Sequence, residues 1–226
     1  MTIKYLGHSG FLIETSGKTL LFDPMISSNP LAADIDVETI SPDYILLTHG
    51  HEDHVADAEQ IAKSSNASLI TNYEIYSWYQ NKGIHGHPMN LGGKFHFDFG
   101  TVKYVQAVHS SMLPDGSYGG PSGGFVIWNE EICFYFAGDT ALTMDMKLIP
   151  QTCPKLDFAI LPIGDNFTMG YEDAVIAAEF IECDTIIGCH FDTFGYIKTD
   201  KTKAIQHFSY KRKKLIIPEI NHNIIL

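Results

Sequence analysis

The chain is short of cysteine and of positive charge. Its four cysteines, Cys133, Cys153, Cys183 and Cys189, are scattered and form no C-x-x-C pair. That excludes a disulfide scaffold and makes a reducing cytoplasm the expected compartment. Only 15 basic residues stand against 27 acidic ones, a formal charge of −12. Sequence-independent nucleic-acid binding needs positive surface against phosphates, so no nucleic-acid partner is expected. No apolar run approaches the roughly 20 residues of a transmembrane helix, which excludes a spanning segment. The opening Met1-Thr2-Ile3-Lys4 leads straight into an alternating pattern, without the charged and apolar regions of a signal peptide. Linker-like, low-complexity and solenoid-period stretches are missing too.

What is present is enough for a sizeable core. The 226 residues are 45% apolar and 19% charged, which suits one soluble domain over residues 1–226. Short apolar runs bounded by Gly, Pro, Asn and Asp read as strands: 3–6, 11–14, 19–22, 44–48, 68–71, 95–99 and 102–108. Further runs follow at 124–128, 132–136, 157–161, 185–188 and 215–217. Helical spacing appears at Val55–Lys63, Tyr73–Asn81, Leu142–Ile149, Tyr171–Ile181 and Lys201–Lys213. The first part reads as hairpins and the second as alternating strand and helix. Two sheets packed face to face with helices outside accommodate both.

The strongest chemical signal is Thr48-His49-Gly50-His51-Glu52-Asp53-His54, directly after the apolar run Tyr44-Ile45-Leu46-Leu47. Three imidazoles and a carboxylate at a strand end would be poorly paired if buried as core. A metal resolves this, because neutral imidazole is the commonest nitrogen ligand and a carboxylate balances charge. His-x-His puts two ligands on one centre, and the adjacent Asp-His supplies a second. His109, Asp139 and His190 each end an apolar run of their own. Singly, His109 or His190 reads as a structural histidine; beside the motif each reads as a ligand. Strand ends converging on one sheet edge would bring them together.

H-x-H-x-D-H, a strand-end His, a strand-end Gly-Asp and a final strand-end His, in this order, resemble the metallo-β-lactamase superfamily over essentially the whole chain. Gly7-His8-Ser9-Gly10-Phe11, Asp23-Pro24, Phe136-Ala137-Gly138-Asp139-Thr140 and the segment Leu161–Gly170 look like its bacterial metal-dependent hydrolase branch, near L-ascorbate-6-phosphate lactonase. The resemblance implies an α+β, four-layer αβ/βα sandwich with a dinuclear centre. By it, His49, His51 and His109 hold one divalent metal, Asp53, His54 and His190 a second, and Asp139 bridges them. Zn²⁺ suits such a site, as do Mn²⁺, Fe²⁺ or Ni²⁺. The implied reaction is hydrolysis of a small ester, lactone or phosphoester by a metal-bridging hydroxide. Alternatives are a phosphodiesterase or nuclease, or a non-catalytic metal-binding protein of the same fold. The chain between Asp139 and His190 is too short for the RNA-gripping insertion of the superfamily's nucleases.

Asp53, Asp139 and His8 are the expected catalytic residues. His8 would back a ligand or give a proton to the leaving group, unless it is a turn histidine bonded to backbone. Asp23 would hold a ligating histidine by its other nitrogen or cap the turn before Pro24. Asp165-Asn166 would line the pocket or form a plain turn. Asp192, where relatives often carry Tyr-Asn after the histidine, is expected to change the polarity near the metals. His85, His87, His96, His207 and His222 read as surface or structural. Gly120-Pro121-Ser122-Gly123-Gly124 matches G-x-S-x-G but has a loop before it and a strand after it, which rules out a nucleophile elbow. The loop Ser110–Gly123 is expected to lie over the site. Seven of the 15 basic residues fall in 198–214: Lys198, Lys201, Lys203, Lys211, Arg212, Lys213 and Lys214. They form a solvated helix face or attract an anionic substrate or subunit. The expected partner is a small molecule, with a homo-oligomer left open.

Overall fold

A computed structural model describes residues 1–226. Strands β1 (Thr2–Gly7), β2 (Gly10–Thr15) and β3 (Lys18–Phe22) form a meander, continued by β4 (Tyr44–Leu46), β5 (Ser68–Asn72) and β6 (Gly86–Met89). They make a 6-stranded sheet in sequential order, antiparallel from β1 to β3 and parallel from β3 to β6. Helices α1 (Glu52–Val55), α2 (Ala58–Ser65) and α3 (Tyr73–Gln80) fall between its parallel strands. The second half repeats the scheme. Antiparallel β7 (Lys94–Phe97), β8 (Gly100–Gln106), β9 (Gly123–Trp128) and β10 (Cys133–Phe136) come first. Parallel β11 (Phe158–Pro162), β12 (Thr185–Cys189) and β13 (Lys214–Ile216) complete a 7-stranded sheet. Helices α4 (Ile149–Thr152), α5 (Tyr171–Phe180) and α6 (Lys201–Tyr210) belong to this half. The change from hairpins to alternation therefore occurs inside each half, not between them.

The strands read as continuous apolar runs because both their faces are covered. Side chains alternate across a strand. In β10, Phe134 and Phe136 enter the layer between the sheets, while Cys133 and Tyr135 face the outer layer of α5 and α6. Phe158 and Ile160 of β11 follow the inner set, and Ala159 and Leu161 the outer. Phe11, Phe22, Leu46 and Ile70 close the middle layer from the other sheet. Leu21, Ile45 and Leu69 face α2 and α3 instead. Three apolar layers between two sheets and two sets of helices give four layers of secondary structure.

Local chemistry sets the helix limits. Asn72 caps α3 by accepting from the Ile75 N–H at 2.9 Å, and Asp200 caps α6 through Lys203 N–H. Val55–Lys63 is not one helix. It breaks at Ala56-Asp57, where the Asp57 carboxylate accepts from the Ile26 and Ser27 N–H groups instead of capping α2. The segment 142–149 forms a 3₁₀ turn at Met144–Leu148, and the short helix α4 follows with Pro150 in its first turn. No helix is long and apolar enough to cross a membrane.

Candidate metal centre

The residues of the centre lie past the C-terminal ends of strands, in the loops there or on the short helix α1. Asp23 follows β3, Thr48 and His49 follow β4, and His190 follows β12 directly. His109 and Asp139 each lie three residues beyond β8 and β10. His51 precedes α1, whose first turn carries Asp53 and His54. Gly138 permits the approach of the two sheets: at φ +61, a Cβ there would lie 2.6 Å from the Thr48 Cβ.

Two groups of donors result. His49 Nε2 and His109 Nε2 lie 3.1 and 3.3 Å from His51 Nδ1. Asp53, His54 and His190, joined by His8, form the second group, and within each group the ligand atoms all lie within 4.8 Å of one another. Asp139 reaches both. Its Oδ1 lies 3.3 Å from His54 Nε2, and its Oδ2 lies 3.1 Å from His190 Nε2 and 3.5 Å from His109 Nε2. His54 Nε2 and Asp139 Oδ1 are buried and face each other without a well-formed hydrogen bond, and neither has another partner. Buried polar atoms are rarely left so. Imidazole nitrogens converging on one another, with a carboxylate between the groups, fit divalent cations.

The partners behind the centre fix which nitrogens face it. His54 Nδ1 lies 2.8 Å from Asp23 Oδ2 and donates to it, which turns Nε2 toward the site. Thr48 gives its hydroxyl proton to Asp23 at 2.6 Å, so it accepts from His49 Nδ1 at 3.0 Å. One buried aspartate thus orients two ring systems. Burial pushes the His49 imidazole well below its usual range, and those of His51 and His109 down too, which favours the neutral, ligating form. His190 goes the other way: burial disfavours its charge, but the Asp139 carboxylate beside it prevails and raises it to about 9.

His8 occupies a left-handed turn (φ 54) and is 1% exposed. Its Nε2 lies 3.0 Å from Asp53 Oδ2 and its Nδ1 2.9 Å from Thr193 Oγ1. Its carbonyl accepts from the N–H of His190, itself left-handed at φ 53. Holding two such residues costs about 1–3 kcal/mol each and marks a site that the surroundings enforce. Burial lowers the His8 imidazole to about 4.

A cavity of about 1090 Å³ opens over the centre, bordered by His51, Asp53, His109, Asp139 and His190. His8 does not border it and reaches it through Asp53, whose carboxylate lies 3.0 Å from His8 Nε2. Asp192 also departs from expectation. It accepts from the Thr199 N–H and pairs with Lys201 at 2.7 Å, outside the cavity wall. Asp165 and Asn166 form a left-handed turn outside the wall, and their neighbour Phe167 borders it instead. Ser122 donates to the Ser110 carbonyl and precedes β9, so no nucleophile elbow exists there. The loop after His109 does lie over the site, through Ser110, Met112, Leu113 and Pro114. Sequence reasoning missed Thr48, Thr193 and the wall residues Met25, Phe194 and Tyr196. Phe194 and Tyr196 sit in the loop after His190, and that position was the only signal.

A family model described as a beta-lactamase superfamily domain matches residues 2–190. A UPF0173 metal-dependent hydrolase of Flavobacterium johnsoniae is 57% identical over 226 residues, covering 100% of both chains. Another, from Christiangramia forsetii, is 53% identical over 227 residues with the same coverage. A solved metallo hydrolase from the hyperthermophilic archaeon Ignicoccus hospitalis has a TM-score of 0.88 and 29% identity, over 99% of this chain and 97% of that one. The match runs from β1 to His190, the last of the converging histidines, and the chain, with its metallo-β-lactamase fold, belongs to the β-lactamase superfamily as a metal-dependent hydrolase.

Proposed function

We propose that the chain is a dinuclear hydrolase of a small ester, lactone or phosphoester. The observation that carries this is Asp139 at the cavity floor, whose carboxylate oxygens lie within 3.5 Å of His109 in the first donor group and of His54 and His190 in the second. In this reading His49, His51 and His109 hold one cation, Asp53, His54 and His190 the other, and Asp139 both. When bound, divalent cations such as Zn²⁺ or Mn²⁺ supply Lewis acidity and lower the pKa of water toward neutrality.

The chain's own residues do the rest. Asp53 borders the cavity with its side chain 26% exposed; burial would raise its carboxyl, but His54, His190 and His8 beside it hold it well below the usual carboxylate range, so it stays ionised there as a ligand and hydrogen-bond acceptor. His8 holds that carboxylate from behind and acts as a positioning residue, not as the acid. Asp23 and Thr48 keep His54 and His49 aimed inward. The cavity wall carries no lysine or arginine, which supports a small molecule over a nucleic-acid strand. Free cysteines at all four positions support a reducing compartment, the cytoplasm.

The test is a panel of lactones, thioesters, phosphomonoesters and phosphodiesters, run before and after chelation. Hydrolysis of a lactone or ester should vanish on chelation and return with added divalent metal. A rate that persists in metal-free protein would overturn the reading.

A further inference from the structure

The walls of the cavity differ in kind from its floor. Above the metal-ligating side chains stand Met112, Leu113 and Pro114 from the loop after β8, Phe167 from the turn after β11, and Phe194 and Tyr196 from the loop after β12. Phe167 is 50% exposed and Tyr196 79%, with ring centroids 6.3 Å apart and nearly perpendicular. Met112, also on the wall, is 56% exposed. Large apolar side chains held in water beside a polar centre mark a surface that something apolar covers.

These walls are fixed in place. Tyr196 lies on a loop closed by Asp192 N–H to the Ile197 carbonyl at 2.8 Å, by Asp192 to Lys201, and by Thr193 to His8. Met112 lies on a loop tied to α3 by the Trp78 indole N–H, which donates to Asp115 at 2.6 Å. The only charged side chains on the wall apart from the ligating ones belong to Glu52, an acid. The basic run of 198–214 lies elsewhere: Lys203 pairs with Asp200, Lys211 with Glu179 and Lys213 with Asp184. None of its residues borders the cavity.

We infer that the part of the substrate remote from the reacting bond is uncharged and apolar or aromatic, and that Tyr196, Phe167 and Met112 select it. This rests on the hydrolase reading above and narrows it. A remote phosphate or carboxylate would meet Glu52 and no cation, with its desolvation uncompensated. An aryl or alkyl group instead covers the exposed rings and methionine. The volume, about 1090 Å³, lies just above the range of roughly 300–1,000 Å³ usual for ligand pockets, which leaves room for a substantial remote group.

The experiment uses the metal-loaded protein and a lactone series with one reacting ring and a varied side arm: methyl, propyl, phenylpropyl, and the same arm ending in carboxylate or phosphate. For the alkyl arms kcat/KM should rise about fourfold per added methylene, equivalent to about 0.8 kcal/mol. The phenyl arm should exceed its carboxylate and phosphate counterparts by at least tenfold. Tyr196→Ala should lower the phenyl-to-methyl ratio of kcat/KM by about tenfold, and Tyr196→Lys should raise the phosphate-to-phenyl ratio. A flat series, or preference for the anionic arms in the wild type, overturns the inference while leaving hydrolysis intact. If no lactone is hydrolysed, lactones drop out of the hydrolase reading while its ester and phosphoester parts stand or fall on the substrate panel. Calorimetric binding of the matching non-hydrolysable lactams then still decides the inference: tighter binding of the phenyl arm supports it, and equal or tighter binding of the anionic arms refutes it.

Discussion

Asp23 is fully buried, accepts from the Thr48 N–H at 2.9 Å and the Thr48 hydroxyl at 2.6 Å, and holds His54 Nδ1 at 2.8 Å. Removing its charge should therefore disturb both donor groups at once, through His54 directly and through Thr48 and His49. Asp23→Asn is predicted to weaken metal binding by about 10- to 100-fold, measured by competition with a chromophoric chelator. An unchanged affinity would mean that Asp23 merely caps the turn before Pro24. Asp139→Asn should lower hydrolysis by at least about 100-fold, since in the proposed two-metal centre an amide would offer one neutral oxygen in place of a shared carboxylate. Circular dichroism should show that variant still folded; wild-type turnover would rule Asp139 out as the shared ligand.

The histidine motif and the three strand-end ligands were legible because metal chemistry needs residue types that a strand end would not otherwise bury. His8 was half legible: its turn marked it, but only coordinates show both nitrogens committed behind Asp53. Met112, Phe167 and Tyr196 were not legible, since an apolar residue in a loop looks the same in sequence whether it faces the core or a cavity.

At the scale of elements, runs with both faces buried were easy to find. Strand β6 was missed because Gly86-His87-Pro88-Met89 has neither β-branching nor alternation. It is an edge strand, where proline is tolerated. The turns between elements hold the site in register as much as the strands do. Gly164, after β11, lies so close to β12 that a Cβ would sit 2.0 Å from the His190 carbonyl oxygen. Gly164→Ala should cost about 1–3 kcal/mol of stability and weaken metal binding by displacing His190. Thermal unfolding identical to wild type, with metal affinity retained, would contradict that coupling.

The tie between α3 and the loop over the site has its own pH dependence. The Ser117 hydroxyl, with the Trp78 indole and the Ser117 amide, holds the Asp115 carboxyl down at about 2. An unfolded aspartate titrates near about 3.9. The folded value is the lower one, so the tie contributes fully above about 3.9 and is lost as pH falls through about 2. The Tm difference between wild type and Asp115→Asn should accordingly narrow over that range; a constant difference would show that the carboxylate is not the grip.

For the whole molecule, two halves with the same strand scheme bring the C-terminal strand ends of both sheets to one rim. Four of the candidate ligands, His49, His51, Asp53 and His54, come from the stretch after β4 of the first sheet, and His109, Asp139 and His190 come from the second. The centre exists only where the sheets are packed correctly, so metal should stabilise the folded chain and chelation should lower its Tm. The number of ions held tests this paired arrangement most directly. Equilibrium dialysis against zinc, followed by elemental analysis, should give about two equivalents per chain for the wild type. His51→Ala and His190→Ala, one from each donor group, should each give about one. A wild-type value of one, or the same value in all three proteins, would contradict a shared two-metal centre.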